Sequence, residues 1–208
     1  MSPARKLLVA TTNKKKLREL ETLLSSLDLR LVCLGDLPSY EEAEENGETF
    51  EENAEMKALG YAKQTGLLTL GEDSGFCCKA LKGAPGVYSA RFAGPAKNDA
   101  ENNQKVLDLL RDVPNDKRGA YFKSAVAIAE PGGLIGIVSG EVHGYVHSCA
   151  AGSHGFGYDP IFYYPPYGKT FGEVPAELKH KVSHRAKALK KTRELLEKYL
   201  LKSNCGNV

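Results

Sequence analysis

Alternating apolar and polar segments predict a succession of strands and helices in the first third of the chain. Lys6–Ala10 and Leu29–Leu34 are short apolar runs that predict buried strands. Between them, leucines recur at helical spacing, at Leu17, Leu20, Leu24 and Leu27. Thr49 followed by Glu52 forms a capping box that predicts a helix over Phe50–Thr65, and it gives Glu52 a structural role that competes with a catalytic one.

A short acidic turn is the centre of the predicted organisation. Leu67–Leu70 predicts a third buried strand, Gly71–Gly75 predicts a turn, and Phe76–Leu81 predicts a further strand. The turn contains adjacent carboxylates, Glu72 and Asp73, which are costly to bury unless a positive charge lies on them. Mg²⁺, which prefers carboxylate and phosphate oxygens, would supply that charge. The alternative is a solvated turn capped by its own serine and glycine.

The remaining pattern predicts a hairpin and two more helices. Asp99 is a suitable N-cap for a helix. Tyr121–Glu130 and Leu134–Gly144 are rich in β-forming residues, and the Pro-Gly-Gly sequence between them predicts a hairpin. Ser183 caps a last helix that reaches about Tyr199.

This order of elements predicts an α/β fold with a mixed central sheet flanked by helices, and the long hairpin predicts a second lobe. A chain of 208 residues fits one domain, assigned to residues 1–200, with a disordered tail over 201–208. The odd number of cysteines, five, and the lack of a C-x-x-C motif favour a reducing compartment. No apolar run approaches the roughly 20 residues of a membrane helix. We therefore expect a cytoplasmic protein with no membrane contact.

Charge is nearly balanced overall but unevenly distributed. The net charge of +2 argues against general binding to nucleic acid. Residues 41–55 contain eight glutamates, and residues 179–193 contain seven lysines and arginines. The acidic segment could hold a metal and the basic one a polyanion, although most such charges belong to solvated helix faces.

Two further segments suggest contacts with a nucleotide. The polar loop between the first strand and the first helix, residues 11–16, is typical of phosphate binding, because helix N-terminal N–H groups and lysines favour anions. It is not a Walker A loop, and an ordinary helix cap is the alternative. In the glycine-rich segment Gly152–Phe162, Phe156 could stack on a base or anchor the core. His184 and Arg185 place positive charge at a helix N-terminus, which is adverse locally.

Taken together, these segments closely resemble the inosine/xanthosine triphosphate pyrophosphatase family. The matching segments, in chain order, are Ala10–Asn13 with Lys16, Glu44–Gly47, Thr49–Ala54, Glu72–Gly75, Gly83–Gly94, Gly155–Phe162, and Ser183–Arg185 with Ala188 and Leu189. The resemblance implies an enzyme that hydrolyses deaminated purine nucleoside triphosphates, namely dITP, ITP and XTP, to the monophosphate and pyrophosphate. It also implies a Mg²⁺ requirement, two lobes with a central substrate cleft, a homodimer, and no direct binding to nucleic acid.

Carried over residue by residue, the resemblance assigns roles to three groups. Asp73 is identified as the catalytic proton acceptor, and Glu44 and Asp73 as metal ligands. The triphosphate cradle resembles Thr11, Thr12, Asn13, Lys14, Lys15 and Lys16. Further substrate contacts are expected from Ser74, Phe156, Gly157, Tyr158, Asp159, Lys179, His184 and Arg185.

Three positions depart from the family's usual pattern. Thr12 adds a side chain beside the phosphates, Glu72 lengthens one carboxylate by a methylene, and His154 adds bulk beside the base. The role of Arg91 stays open between a phosphate contact and a structural ion pair. The two adjacent cysteines, Cys77 and Cys78, are expected to be buried strand thiols.

The predicted chemistry is water attack on the α-phosphorus, with Asp73 orienting the water and accepting its proton. Donors such as Arg185 or His184 suit the C6 oxygen of hypoxanthine and leave the amino group of adenine unpaired. A pyrophosphatase for a modified pyrimidine nucleotide and a non-catalytic nucleotide-binding module are the alternatives. Glu44, Asp73 and Lys16 argue against the module, because binding alone requires no carboxylate pair beside phosphates.

Overall fold

The computed structural model describes the backbone of residues 4–205, with their side chains except those of residue 15 and residues 203–205. Within this range the strands are β1 (Arg5–Val9), β2 (Leu29–Cys33), β3 (Leu68–Cys78), β4 (Gly119–Glu130), β5 (Gly133–Val146), β6 (Phe162–Tyr164) and β7 (Lys169–Thr170). The α-helices are α1 (Lys14–Leu24), α2 (Phe50–Thr65), α3 (Asp99–Leu109), α4 (Ala176–Val182) and α5 (His184–Cys205).

The strands form one mixed sheet in the order β2-β1-β3-β4-β5-β6-β7. β1 pairs in parallel with both β2 and β3, with Leu7 opposite Leu31 and Leu68. β6 pairs antiparallel with β5 and with β7. The predicted α/β fold with a mixed central sheet is therefore confirmed.

The chain divides into two compact units. The first contains the described residues up to Asp73, then Ala125–Ser139 and the residues from Lys187 onward. The second contains Ser74–Ser124 and Gly140–Ala186. The single-domain organisation and the central cleft stay predictions.

In the first unit, β1 is covered on both faces because its side chains alternate. Leu7 and Val9 pack in one cluster with leucines of α1 and α5, including Leu20 and Leu196. Leu8 lies in another cluster, with Leu34 and with Tyr61 of α2. This arrangement places the carboxyl end of β1 and the start of α1 on a rigid base.

In the second unit, aromatic rings form the core. Phe76 meets Phe122 edge to face at 5.2 Å between ring centroids, and Phe122 meets Phe162 at 4.9 Å. Tyr158 stacks on Phe76 at 4.7 Å. Such aromatic pairs are worth about 0.5–1.5 kcal/mol beyond the burial of their area, so they hold the segment around Tyr158 in place.

Local signals predicted several elements correctly. The capping box is present, and α2 spans Phe50–Thr65 as expected. β4 and β5 are neighbours in the sheet, connected through Pro131 and Gly132, which confirms the hairpin. Ser183 accepts a hydrogen bond at Oγ from Ala186 N at 3.1 Å, as expected of the cap of α5.

Three expectations need correction or extension. The acidic segment Gly71–Gly75 is not a turn, because β3 runs unbroken from Leu68 to Cys78 and includes part of the predicted following strand. The N-cap of α3 is Asn98 rather than Asp99, since Asn98 Oδ1 accepts from Ala100 N and Glu101 N. α5 extends to Cys205, so it includes the first residues of the predicted tail, whereas residues 206–208 lie outside the described part.

Membrane insertion and disulfide bonding were also open to inspection. Among the described residues, no helix is long and apolar enough to cross a membrane. Cys33, Cys77, Cys78 and Cys149 are free thiols. The adjacent pair is buried, as expected, and burial raises the pKa of both thiols.

Candidate active site

The predicted phosphate loop connects β1 to α1 and is shaped by two of its own side chains. Asn13 Oδ1 accepts from Lys16 N at 3.4 Å, and Thr11 Oγ1 accepts from Asn13 N at 3.1 Å. Thr12 and Lys14 are exposed, while Lys16 is half-buried. The loop therefore presents hydroxyl and ammonium groups at the N-terminus of a helix, where an anion is favoured.

Lys16 connects this loop to the acidic part of β3. Its Nζ lies 3.5 Å from Glu72 Oε2, and the Glu72 side chain is only 7% exposed. A carboxylate this buried requires a positive partner, which the phosphate loop supplies.

β3 separates its two carboxylates by strand alternation. Successive side chains of a strand point to opposite faces. A Cβ on Gly71 would lie 2.7 Å from Ala58 N of α2, so the strand backbone lies directly against that helix. Asp73 lies on the same face as Gly71, toward α2, whereas Glu72 points toward Lys16. They are not the side-by-side pair that a turn would have produced.

Asp73 is held by an uncharged donor. Asn53, buried in α2, donates from Nδ2 to Asp73 Oδ2 at 3.2 Å. The same amide accepts at Oδ1 from Gly47 N at 2.8 Å. Asp73 is thereby connected through one side chain to the loop that carries Glu44.

The acidic segment, defined here as residues 41–47, is bound in an extended form along one face of α2. Alternate residues of the segment contact α2 side chains that are three or four positions apart. The pairs are Glu41 with Gln64, Ala43 with Tyr61, Glu45 with Lys57 and Gly47 with Asn53. The periods match, because four helical residues advance about 6 Å and two extended residues about 6.6 Å. This contact pattern leaves Glu44 exposed on the side away from the helix.

Lys57 adds a second connection between the acidic segment and β3. Its Nζ lies 2.8 Å from Glu45 Oε2 and donates to the backbone oxygen of Glu72 at 3.2 Å. The lysine is mostly buried, with 15% of its side chain exposed. It fixes the backbone of β3 directly before Asp73.

The donor set is suited to Mg²⁺ only in combination with a phosphate ligand. Among the described residues, no group of three or more His, Cys, Asp or Glu side chains could hold a metal by itself. Mg²⁺ is usually bound by one or two carboxylates together with substrate phosphates and water. Asp73 and the exposed Glu44 supply the hard oxygen ligands that such a site needs, so the residues fit.

In the second unit, Phe156 is the most exposed aromatic ring of the candidate site, at 74%. Lys179 Nζ lies 4.7 Å from its ring centroid and pairs with Asp159 Oδ2. Asp159 Oδ2 also accepts from Phe156 N at 2.9 Å. Phe156 is therefore not a core anchor: it is a presented ring, and its neighbour Tyr158 is the core residue.

The loop that carries Phe156 is held from several sides. Gly157 N donates to Asp99 Oδ2 at 2.7 Å, and Gly157 O accepts from Asn103 at 3.0 Å. Gly155 has a φ of +77°, and a Cβ there would overlap Asp159 Oδ2. Glycine is thus required at 155, since both the backbone conformation and the close carboxylate exclude a side chain.

Burial changes the electrostatics of this loop. Desolvation raises the pKa of Asp159, an effect that nearby Lys179 opposes. Within the described residues, Asp159 Oδ1 and Asn103 Oδ1 are buried acceptors that lack a hydrogen-bond donor. Two such oxygens near Gly157 are suited to an N–H group of a ligand or to a water.

His184 and Arg185 begin α5 next to the core of the second unit. The His184 ring stacks on Phe122 at 5.0 Å. Arg185 is half-buried, and desolvation lowers its pKa to about 10, so it keeps its charge at neutral pH. Ser74, the first residue of the unit, continues β3 beyond Asp73.

Sequence analysis missed three residues that shape these groups: Asn53, Lys57 and Asp99. The first two recur four positions apart on α2, as do the polar groups of Tyr61 and, three further on, Gln64. A search for polar residues at helical spacing beside an acidic extended segment would have found them. Arg91, whose role was open, lies with its guanidinium 5.1 Å from the Tyr88 ring centroid.

Comparisons with known proteins agree on one family. The Ham1 family matches residues 7–195. The dITP/XTP pyrophosphatase of Desulforamulus reducens is 50% identical over 193 residues, covering 93% of this chain and 96% of that protein. The dITP/XTP pyrophosphatase of Geobacter sulfurreducens is 47% identical, covering 88% of this chain and 92% of that protein.

Solved structures give the same result for the fold. The Ham1 protein of Staphylococcus aureus superposes with a TM-score of 0.87 at 34% identity, covering 94% of this chain and all of that one, 100%. The nucleoside-triphosphatase / dITP/XTP pyrophosphatase of Mycobacterium abscessus has a TM-score of 0.80 at 43% identity, with coverages of 90% and 97%.

Proposed function

This chain belongs to the Ham1 family, and we propose that it hydrolyses deaminated purine nucleoside triphosphates, dITP, ITP and XTP, to the monophosphate and pyrophosphate. The relatives named dITP/XTP pyrophosphatase support the reaction and the substrate class. The observation that carries the proposal is the carboxyl end of the β1–β3 region, where Lys16 faces Glu72 and Asp73 faces an amide. The expected homodimer stays a prediction.

Asp73 and Glu44 would hold Mg²⁺ together with the triphosphate. When bound, the ion would neutralise phosphate charge and lower the pKa of a water molecule. Asp73 keeps its negative charge available because its partner Asn53 is uncharged. Glu44 is exposed and lies in a segment fixed along α2, so it can reach a ligand without losing a structural contact of that segment.

The residues of the first unit account for phosphate binding and proton transfer. The N–H groups at the start of α1 and the Lys16 ammonium would bind the phosphates. Asp73 would orient the attacking water and accept its proton at a carboxylate oxygen. The phosphate contacts favour pyrophosphate as leaving group, since they stabilise the charge that develops on it.

The residues of the second unit account for recognition of the base. Phe156 offers an exposed face for stacking, and Lys179 beneath it raises the positive potential there. Arg185 is a desolvated donor suited to the C6 oxygen of hypoxanthine or xanthine. Adenine carries an amino group at that position, so it would leave a buried donor unpaired and bind poorly.

An endpoint assay with Mg²⁺ tests the proposal. ITP, XTP, dITP, ATP, GTP and dTTP are compared, and pyrophosphate and orthophosphate are detected separately. We expect pyrophosphate from ITP, XTP and dITP, with little from ATP or GTP. Release of orthophosphate would place the cleavage at the γ-phosphorus and refute the reaction. Activity on modified pyrimidine nucleotides alone would refute the substrate class.

A further inference from the structure

Asn53 is the one described side chain for which hydrogen bonds are recorded to both Asp73 and the acidic segment. It is 4% exposed, and its planar amide donates to Asp73 Oδ2 at 3.2 Å while it accepts from Gly47 N at 2.8 Å. A change in the rotation of this amide would break both bonds. The strand carboxylate and the segment that carries Glu44 are therefore fixed relative to each other.

We propose that Asn53 is a positioning residue, which sets the separation and orientation of Asp73 and Glu44 for a divalent cation. The inference rests on the proposed function, because it concerns the same site. Asn53 itself touches neither phosphate nor base in this account. Its effect is exerted through Asp73 and through the backbone of Gly47.

The chemistry of the amide suits this role. A lysine or arginine at position 53 would hold Asp73 but would also neutralise it and compete with the cation. An aspartate would repel it. The amide orients the carboxylate and leaves its charge intact, in contrast to the neighbouring Glu72, which faces the ammonium of Lys16.

The loop side of the connection has little freedom to move. A Cβ on Gly47 would lie 2.7 Å from Glu52 Cβ and 3.0 Å from Asn53 Oδ1. The next two backbone N–H groups, of Glu48 and Thr49, donate to Glu52 Oε2 at 2.7 and 3.1 Å. Three successive N–H groups are thus bound by the first turn of α2, so a shift of the loop would cost several hydrogen bonds at once.

Two variants test the connection from its two ends. Asn53→Leu keeps the branched shape of the side chain and removes both hydrogen bonds. Gly47→Ala disturbs the loop end and leaves Asp73 and Asn53 in place. Thr69→Val is the control, since it removes a buried side-chain hydrogen bond, to Leu67 O at 3.0 Å, from the same unit and strand.

The readouts are kcat and KM for ITP, thermal unfolding, and Mn²⁺ affinity measured by electron paramagnetic resonance with the α,β-methylene analogue of ITP. We expect both variants to lose about 10- to 100-fold in kcat and in Mn²⁺ affinity, with a much smaller change in KM. Thr69→Val should lose stability and keep both values. Gly47→Ala carries the test if Asn53→Leu does not fold, because its substitution lies in a loop.

Folded variants with unchanged kcat and Mn²⁺ affinity would overturn the role of Asn53. Equal losses in Thr69→Val would overturn it as well, because they would indicate a general effect of stability. If the wild type releases no pyrophosphate from any of the nucleotides, the proposed function fails first, and the inference fails with it. The two failures are therefore distinguishable.

Discussion

Lys16 Nζ lies 3.5 Å from Glu72 Oε2, so the cation of the phosphate loop is held by the carboxylate that directly precedes Asp73 in β3. This contact gives Glu72 a role different from that of Asp73, although the two are adjacent in sequence. Glu72 positions a lysine, and Asp73 is available for the chemistry. The replacement of the family's usual aspartate by the longer Glu72 is compatible with this contact.

Removing the lysine should affect both substrate binding and folding. We expect Lys16→Met to lower kcat/KM for ITP by about 10- to 100-fold, because a charged hydrogen bond to phosphate is lost. The variant should also lose about 1–3 kcal/mol of unfolding free energy, since the mostly buried Glu72 keeps its charge without its ammonium. Steady-state kinetics and urea unfolding measure the two effects.

The double variant Lys16→Met with Glu72→Gln separates these roles. It should recover most of the lost stability, because the uncompensated carboxylate is gone, while kcat/KM stays low. Recovery of activity in the double variant would show that Lys16 acts only as a partner for Glu72.

A side chain at position 155 should disrupt the base loop. Gly155→Ala combines a φ of +77° with overlap between its Cβ and Asp159 Oδ2, whereas Gly157→Ala has a φ of +61° and open space around its Cβ. Gly157→Ala should cost about 1–2 kcal/mol for the left-handed backbone. Gly155→Ala should cost about 1–3 kcal/mol more and should raise KM for ITP. Equal unfolding free energies in the two variants would contradict the close approach of Asp159.

The ion pair of Lys179 and Asp159 predicts a pH-dependent stability. Burial raises the pKa of Asp159 above its ordinary value of 3.8, so the folded state binds the proton more tightly than the unfolded state. Stability from this group is present at low pH and is lost as pH rises through the raised pKa. Lys179→Met removes the opposing ammonium, so it raises that pKa further.

We therefore expect Lys179→Met to lose about 3–5 kcal/mol near neutral pH, because a buried carboxylate loses its partner. The loss should shrink by up to about 1.4 kcal/mol for each pH unit toward acid. Urea unfolding between about pH 5 and 7.5 measures this slope. Lys105→Met is the control: Lys105 lies over Phe92 and donates to its backbone oxygen, so its loss should not vary with pH. A pH-independent loss at position 179 would contradict the account.

Arg185 should determine discrimination between bases. We expect Arg185→Ala to lower kcat/KM for ITP more than for ATP, which reduces their ratio by at least about tenfold. Arg111→Ala serves as control, because Arg111 forms an exposed ion pair with Asp108. If the ratio for the Arg185 variant equals that of the wild type, Arg185 does not contact the base.

Elements with local signals were predictable from sequence. Thr49 and Glu52 define the start of α2 through bonds between near neighbours, and Ser183 does so for α5. β3 was not predictable, because Gly71 and Gly75 are typical of turns. Only the close packing of Gly71 against α2 explains why a glycine stands inside this strand.

The candidate site was predictable in composition but not in its connections. The charged and aromatic residues could be assigned through resemblance to a family. The link from Asp73 through Asn53 to Gly47 joins residues distant in sequence, and it depends on the packing of β3 and the acidic segment against the same helix. The roles assigned to the individual site residues stay predictions until variants are measured.

The most direct test of the central claim is hydrolysis of ITP in ¹⁸O-labelled water by the wild type and by Asp73→Asn. Attack at the α-phosphorus places one label in the inosine monophosphate and none in the pyrophosphate. Asp73→Asn should unfold like the wild type and turn over about 10²- to 10⁴-fold more slowly, because the proton acceptor is lost. Label in the pyrophosphate, or turnover by Asp73→Asn at the wild-type rate, would contradict the account.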